Sequence, residues 1–186
     1  MGRIQRPPFV RYDVPTHGSS PHWTDYVIHT TEGANQTIEN LAAYFRRTEQ
    51  GLGVSHIIQE NGRMGTNGNI NAKTHHVKNG NHHCRGVELV GFAGRSTFQW
   101  YKNIRQLWAV AWLMAYVSQG WDIPIQKSLI NGRRVAAKGF CGHGDVPGND
   151  HWDPGPNFPW GFVFRLARRW RKNGVPLHVR LAIPKR

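Results

Sequence analysis

Residues 107–117, LWAVAWLMAYV, are apolar on nearly every face of a helix. That stretch constrains the fold more than any other. A helix without a polar side has to be covered all round, so it belongs at the centre of a layered domain. The run is also well short of the ~20 residues that span a bilayer. Ser96 with Gln99 three residues later is a capping-box pattern, and the spacing predicts one helix from there to about Ser118.

The covering layers are legible on either side. YVIHTTEG, 26–33, opens with β-formers and stops at glycine, which predicts a core strand with His29 at its C-terminal end. Ile38, Leu41, Ala42 and Phe45 recur at helical spacing, with Thr37 placed to cap the helix and Gly51 to end it. SHIIQENGRMG, 55–65, reads as a strand, a turn at Asn61-Gly62 and the start of a partner strand; RGVELVGF, 85–92, reads as another strand. FVFRLARRWRKNG, 162–174, is amphipathic, with Phe164, Leu166, Ala167 and Trp170 inward and arginines outward. This order predicts an α/β fold: a single domain with a mixed central β-sheet and helices packed on both faces. Prolines and glycines in the first two dozen residues oppose regular structure. Residues 1–22 are therefore expected to form an arm, 23–174 the functional domain and 175–186 a basic tail.

The chain carries 24 Lys+Arg against 11 Asp+Glu, a net charge of +13, so it should attract an anionic partner. Nucleic acid, anionic lipid and acidic wall polymers all qualify, and charge alone does not rank them. Lys73, Lys78, Arg85 and the 165–172 cluster are expected to form the basic surface. Two cysteines, Cys84 and Cys141, are too few for a disulfide scaffold, and no CxxC pair points to a structural zinc knuckle. The N-terminus lacks the apolar core of a signal peptide, which predicts a soluble protein made in the cytoplasm.

The stretch GHGDVPGNDHWDPGPNFPW, 142–160, concentrates histidine, aspartate and tryptophan on backbone rich in glycine and proline. Such a loop is stiff where proline fixes φ and free to turn where glycine permits it, so it can present several side chains to one point. A catalytic zinc keeps three ligands from His, Asp, Glu or Cys and leaves a fourth position open. His29 at a strand end, with His143 and Asp153 in this loop, supplies such a set. With 11 histidines in the chain, however, the pattern alone is weak. In the tandem pairs His75-His76 and His82-His83, extended neighbours face opposite ways, so at most one of each can address a site.

In combination, VIHTTEG, RGVELVG and GHGDVPG…HWDPGPNFPW, in that order, resemble the zinc-dependent N-acetylmuramoyl-L-alanine amidases of the type 2 family, which includes phage endolysins and peptidoglycan recognition proteins. The resemblance covers about residues 23–172. It implies a Zn²⁺ ion held by His29, His143 and Asp153, with Glu88 as general base. His151 stands where the family often has a lysine that steadies the oxyanion, Ser55 where some members have a tyrosine, and His76 and Lys78 on the substrate side. It further implies hydrolysis of the amide between N-acetylmuramic acid and L-alanine of peptidoglycan. The positive charge favours a monomeric, bacteriolytic phage endolysin that reaches the wall after holin-type permeabilisation over a cytosolic recycling enzyme acting on wall fragments, in either case without nucleic acid and without stable membrane insertion. Two rivals remain: a non-catalytic peptidoglycan-binding module on the same fold, and an HNH-type nuclease. The second is disfavoured because a strand follows HHCRG where a metal-binding helix is needed.

Overall fold

The computed structural model describes residues 2–148 and 150–185. Met1 and Arg186, at the outer ends of the expected arm and tail, and Asn149, inside loop 142–160, lie outside the described residues. Six strands form a mixed sheet in the order β1-β4-β3-β5-β2-β8: β1 Val10–Tyr12, β2 Asp25–Thr30, β3 His56–Ile58, β4 Met64–Asn67, β5 Cys84–Leu89 and β8 Gly139–Gly142. The remaining strands, β6 Leu129–Ile130 and β7 Arg133–Arg134, make a small hairpin. Only β3 and β4, the hairpin turned at Asn61-Gly62, pair antiparallel in the large sheet.

Side chains alternate across this sheet and sort two layers onto it. Tyr26, Ile28, Val87 and Leu89 face α3, Ile104–Trp121, in the main core. Above α3 lies α4, Trp160–Asn173, inserting Val163, Phe164, Ala167 and Trp170 into the same core; Leu166 is partly buried at its border. The apolar run is thus covered on both sides, as its lack of a polar face requires. On the other face of the sheet sits α1, Ile38–Arg47, whose Ile38, Leu41, Ala42 and Phe45 pack against Ile57 and Tyr12. Thr37 caps α1, its side chain accepting from Asn40 N. The architecture is the expected α/β sheet with helices on both faces.

Several elements differ from the sequence reading. The helix from Ser96 is two helices, α2 Thr97–Lys102 and α3. The capping box at Ser96 and Gln99 forms, but Asn103 leaves helical geometry at φ −93°, ψ 46°. Its N–H closes α2 on Trp100 O, and its carbonyl opens α3 by accepting from Gln106 and Leu107 N. Asparagine competes poorly for helix interiors because its side chain favours local turns. The arm contributes β1, an edge strand parallel to β4. Residues beyond α4 form α5, Leu177–Ala182, which with its C-cap Ile183 seats Val179 and Ile183 in the main core. No strand is legible in GFCG, yet β8 completes the sheet beside β2; two of its four residues are glycine, so it lacks an alternating pattern.

Arg85 does not belong to the basic surface. It is fully buried, and its guanidinium donates to the carbonyls of Ile70, Cys84, Asn71 and Ser20, tying the arm to the loop before β5. A buried cation needs such acceptors to replace water. Cys84 and Cys141 are both free and buried. No helix among the described residues is long and apolar enough to cross a membrane.

Candidate metal centre

His29 and Glu88 are register partners on the neighbouring parallel strands β2 and β5, so both project from the sheet face opposite α3. One strand over, β8 ends at Gly142 and delivers His143 as the first residue of a single 3₁₀ turn, His143–Asp145. Asp145 shapes that turn. Its carboxylate accepts from Gly142 N at 2.8 Å and Asn131 N at 3.1 Å, and it pairs with Lys127. The chain then folds back so that Gly144 N donates to Asp153 O at 3.1 Å. Gly155 anchors the return: at φ +84° a Cβ there would stand 2.0 Å from Ala93 O, so only glycine fits. Loop 142–160 is held by turns and close backbone contacts in place of a strand or long helix.

These elements bring His29, His143 and Asp153 together. His29 Nδ1 lies 3.1 Å from His143 Nδ1 and 3.3 Å from Asp153 Oδ2, and His143 Nδ1 lies 3.3 Å from Asp153 Oδ1. All three side chains are buried. A tetrahedral ion with ~2.0–2.1 Å bonds to nitrogen and oxygen has ligand-to-ligand edges of about 3.3 Å, so the donor set fits a zinc-sized cation without rearrangement. The protonation states fit as well. Burial, chiefly, lowers the His29 pKa to about 4, leaving a neutral imidazole with a free lone pair. Burial opposes ionisation of Asp153, but the adjacent His143 and His29 outweigh it and hold the carboxyl well below its usual range.

Glu88 is partly buried beside this cluster, and its Oε2 has no hydrogen-bond partner among the described residues. Burial, with the Asp153 and Glu32 carboxylates adding to it, pushes its pKa up to about 8. His151 stacks on His143 at 4.0 Å, half exposed, with Nδ1 3.5 Å from Asp153 Oδ1. His76 Nδ1 lies 2.9 Å from His29 Nε2, so His76 contacts a cluster residue as well as lining the cleft. Lys78 is at the cleft wall, its Nζ 2.8 Å from Asp150 Oδ1. Ser55 is buried, its Oγ without a partner among the described residues.

The cleft has two arms that meet at Glu88, His151 and Asp153. One, of about 380 Å³, runs past His75, His76 and Lys78; the other, of about 440 Å³, runs between Tyr44 and Trp152. Three contributors were not legible in the sequence. Thr30 N donates to Asp153 Oδ2 at 3.2 Å, and Glu32 accepts from Thr30 Oγ1 at 2.6 Å and Ala93 N at 2.9 Å, bracing the end of β2. Trp152 is 58% exposed between His151 and Asp153; its one signal was a large apolar side chain within a polar loop.

A second group, Asp25, His83 and Cys84, also gathers potential ligand atoms. It fits a metal poorly. Arg134 already grips both Asp25 oxygens at 3.1 and 2.8 Å, and burial, above all, pushes the Cys84 thiol up to about 12, which keeps it protonated.

A family model described as N-acetylmuramoyl-L-alanine amidase matches residues 20–156. No curated protein matches the chain. Among solved structures, the N-acetylmuramoyl-L-alanine amidase LysC from Clostridium intestinale URNW superposes with TM-score 0.62 at 21% identity, covering 85% of this chain and 95% of that one. The Staphylococcus aureus hydrolase AmiA, solved with its ligand, gives 0.67 at 15%, covering 94% and 88%. The endolysin of the Thermus scotoductus MAT2119 bacteriophage Ph2119 gives 0.61 at 18%, covering 88% and 92%.

Proposed function

The chain belongs to the N-acetylmuramoyl-L-alanine amidase family, and on that premise we propose that it hydrolyses the amide joining N-acetylmuramic acid to L-alanine in peptidoglycan, with zinc held by His29, His143 and Asp153. The observation that carries this reading is the 3.1–3.3 Å convergence of those three side chains beside a carboxylate with an unpartnered oxygen. Zinc bound there would lower the pKa of a water molecule toward about 7 and polarise the carbonyl under attack.

The protein's own groups do the rest. Glu88 takes the proton from the attacking water and returns it to the leaving amine of L-alanine, which needs a carboxylate whose proton affinity is raised above the ordinary range. His29, donating through Nε2 to His76 Nδ1, keeps its Nδ1 lone pair turned to the cluster, so His76 orients a ligand. His151, at the open edge, offers an N–H to the oxyanion. Lys78 on one arm contacts the substrate. We further assign the protein to host lysis as a phage endolysin, a role supported by its likeness to the Ph2119 endolysin.

The test is digestion of purified walls. New amino groups should appear on L-alanine, a chelator should abolish their release, and added zinc should restore it. Release of reducing sugar ends without free L-alanine, or activity indifferent to chelation, would overturn the assignment.

A further inference from the structure

The last helix carries a feature that wall hydrolysis does not use. α5 buries Val179, as does its C-cap Ile183, each 1% exposed, and it turns Leu177 and Leu181 outward at 60% and 70% exposure, one helical turn apart. These are the two most exposed aliphatic side chains among the large hydrophobic residues that reach solvent. Arg180 of the same helix lines a cavity of about 370 Å³, onto which Arg3, Lys172 and Arg180 converge from three separate segments, with no acidic residue in its lining. Arg180 Nε is buried there without a hydrogen-bond partner among the described residues. The surrounding sequence is as one-sided: residues 154–186 contain eight arginines and lysines and no aspartate or glutamate.

We propose that α5 and this cavity dock the protein on an anionic phospholipid surface, with lipid phosphate in the cavity and Leu177 and Leu181 in the acyl boundary. Three cations around one concavity match a phosphate, and an unpartnered guanidinium N–H supplies a donor for it. The leucines select the lipid over other polyanions. A wall polymer or a nucleic acid offers phosphate but no apolar phase in which paired leucines gain by leaving water. The arrangement suits a peripheral, reversible contact, since α5 is far too short to span a bilayer.

Orientation adds a consequence. α5 packs into the core on the α3 side of the sheet, while His29 and Glu88 project from the other face. A molecule docked through α5 leaves its cleft open and turned from the membrane. The inference stands apart from the amidase reading, because it concerns a different face and is measured without wall substrate.

The experiment is co-sedimentation of the full chain with phosphatidylcholine vesicles, with and without phosphatidylglycerol. Binding is expected only with phosphatidylglycerol and should weaken as salt rises. Leu177→Gln with Leu181→Gln should weaken it by about tenfold or more, and Arg3→Gln should weaken it as well, while these variants digest purified walls like the parent. Absence of binding to anionic vesicles overturns the proposal. So does binding that the leucine pair leaves unchanged, which would mark the face as a general polyanion surface.

Discussion

Glu88 shows how one position can look ordinary in sequence and meet an unusual environment in the fold. In RGVELVG it is a polar residue alternating with Val87 and Leu89, a pattern shared by many solvent-facing strand residues. Its strand is interior to the sheet, however, so the face it points to is a cleft and not open water. Burial there penalises the carboxylate and raises its pKa to about 8. Glu88→Gln keeps the shape and removes the proposed base. Turnover on walls should fall by about 10²–10⁴ while zinc affinity is retained, as rate assays and metal titration would show; unchanged turnover removes Glu88 from the chemistry. His143 and Asp153 were legible as a pair because the loop's glycines and prolines frame them, and His29 because it stands at the end of a strand of β-formers. Thr30, Glu32 and Trp152 were not, because a backbone N–H, a bracing carboxylate and an exposed ring carry no spacing signal.

Among the elements, β3 is tied to β2 across β5 by a hydrogen bond from Tyr26 O–H to His56 Nδ1, inside the main core. The bond needs a neutral imidazole. Burial, with the positive Arg6 adding to it, holds the His56 pKa down at about 3. In the unfolded chain the same group titrates near ~6.5. Between these values the unfolded state binds a proton that the folded state refuses, so stability is full above pH ~6.5 and declines as pH falls toward about 3, by at most ~1.4 kcal/mol per pH unit for this group. Urea midpoints measured at descending pH should therefore fall less steeply in His56→Gln than in the parent; equal slopes would show that His56 does not titrate on unfolding. The elements with clear periodicity, α1, α3 and α4, were legible. β8 and the break at Asn103 were not, since a glycine-rich strand is fixed by its neighbours and a single asparagine inside a long helical run is too weak a signal to end it. Trp100 is fully buried and meets Phe158 edge-on at 5.0 Å.

At the scale of the whole molecule, the sheet separates two kinds of surface. One face carries α1 and the cleft, where buried histidines and carboxylates gather; the other carries α3, α4 and α5, whose charged side chains are all cationic. The apolar helix foretold this layering, because something had to cover it on both sides. The net charge carries an expectation of an anionic partner but does not say where the charge lies: Arg85 went into the interior, while Arg3 joined Lys172 and Arg180 through a fold that closes the arm onto the end of α4. What binds the halves into one account is the cation proposed for His29, His143 and Asp153. The most direct test is elemental analysis of the purified, wall-digesting protein. One zinc per chain is predicted, lost on His143→Ala; active protein without any bound transition metal would contradict the account.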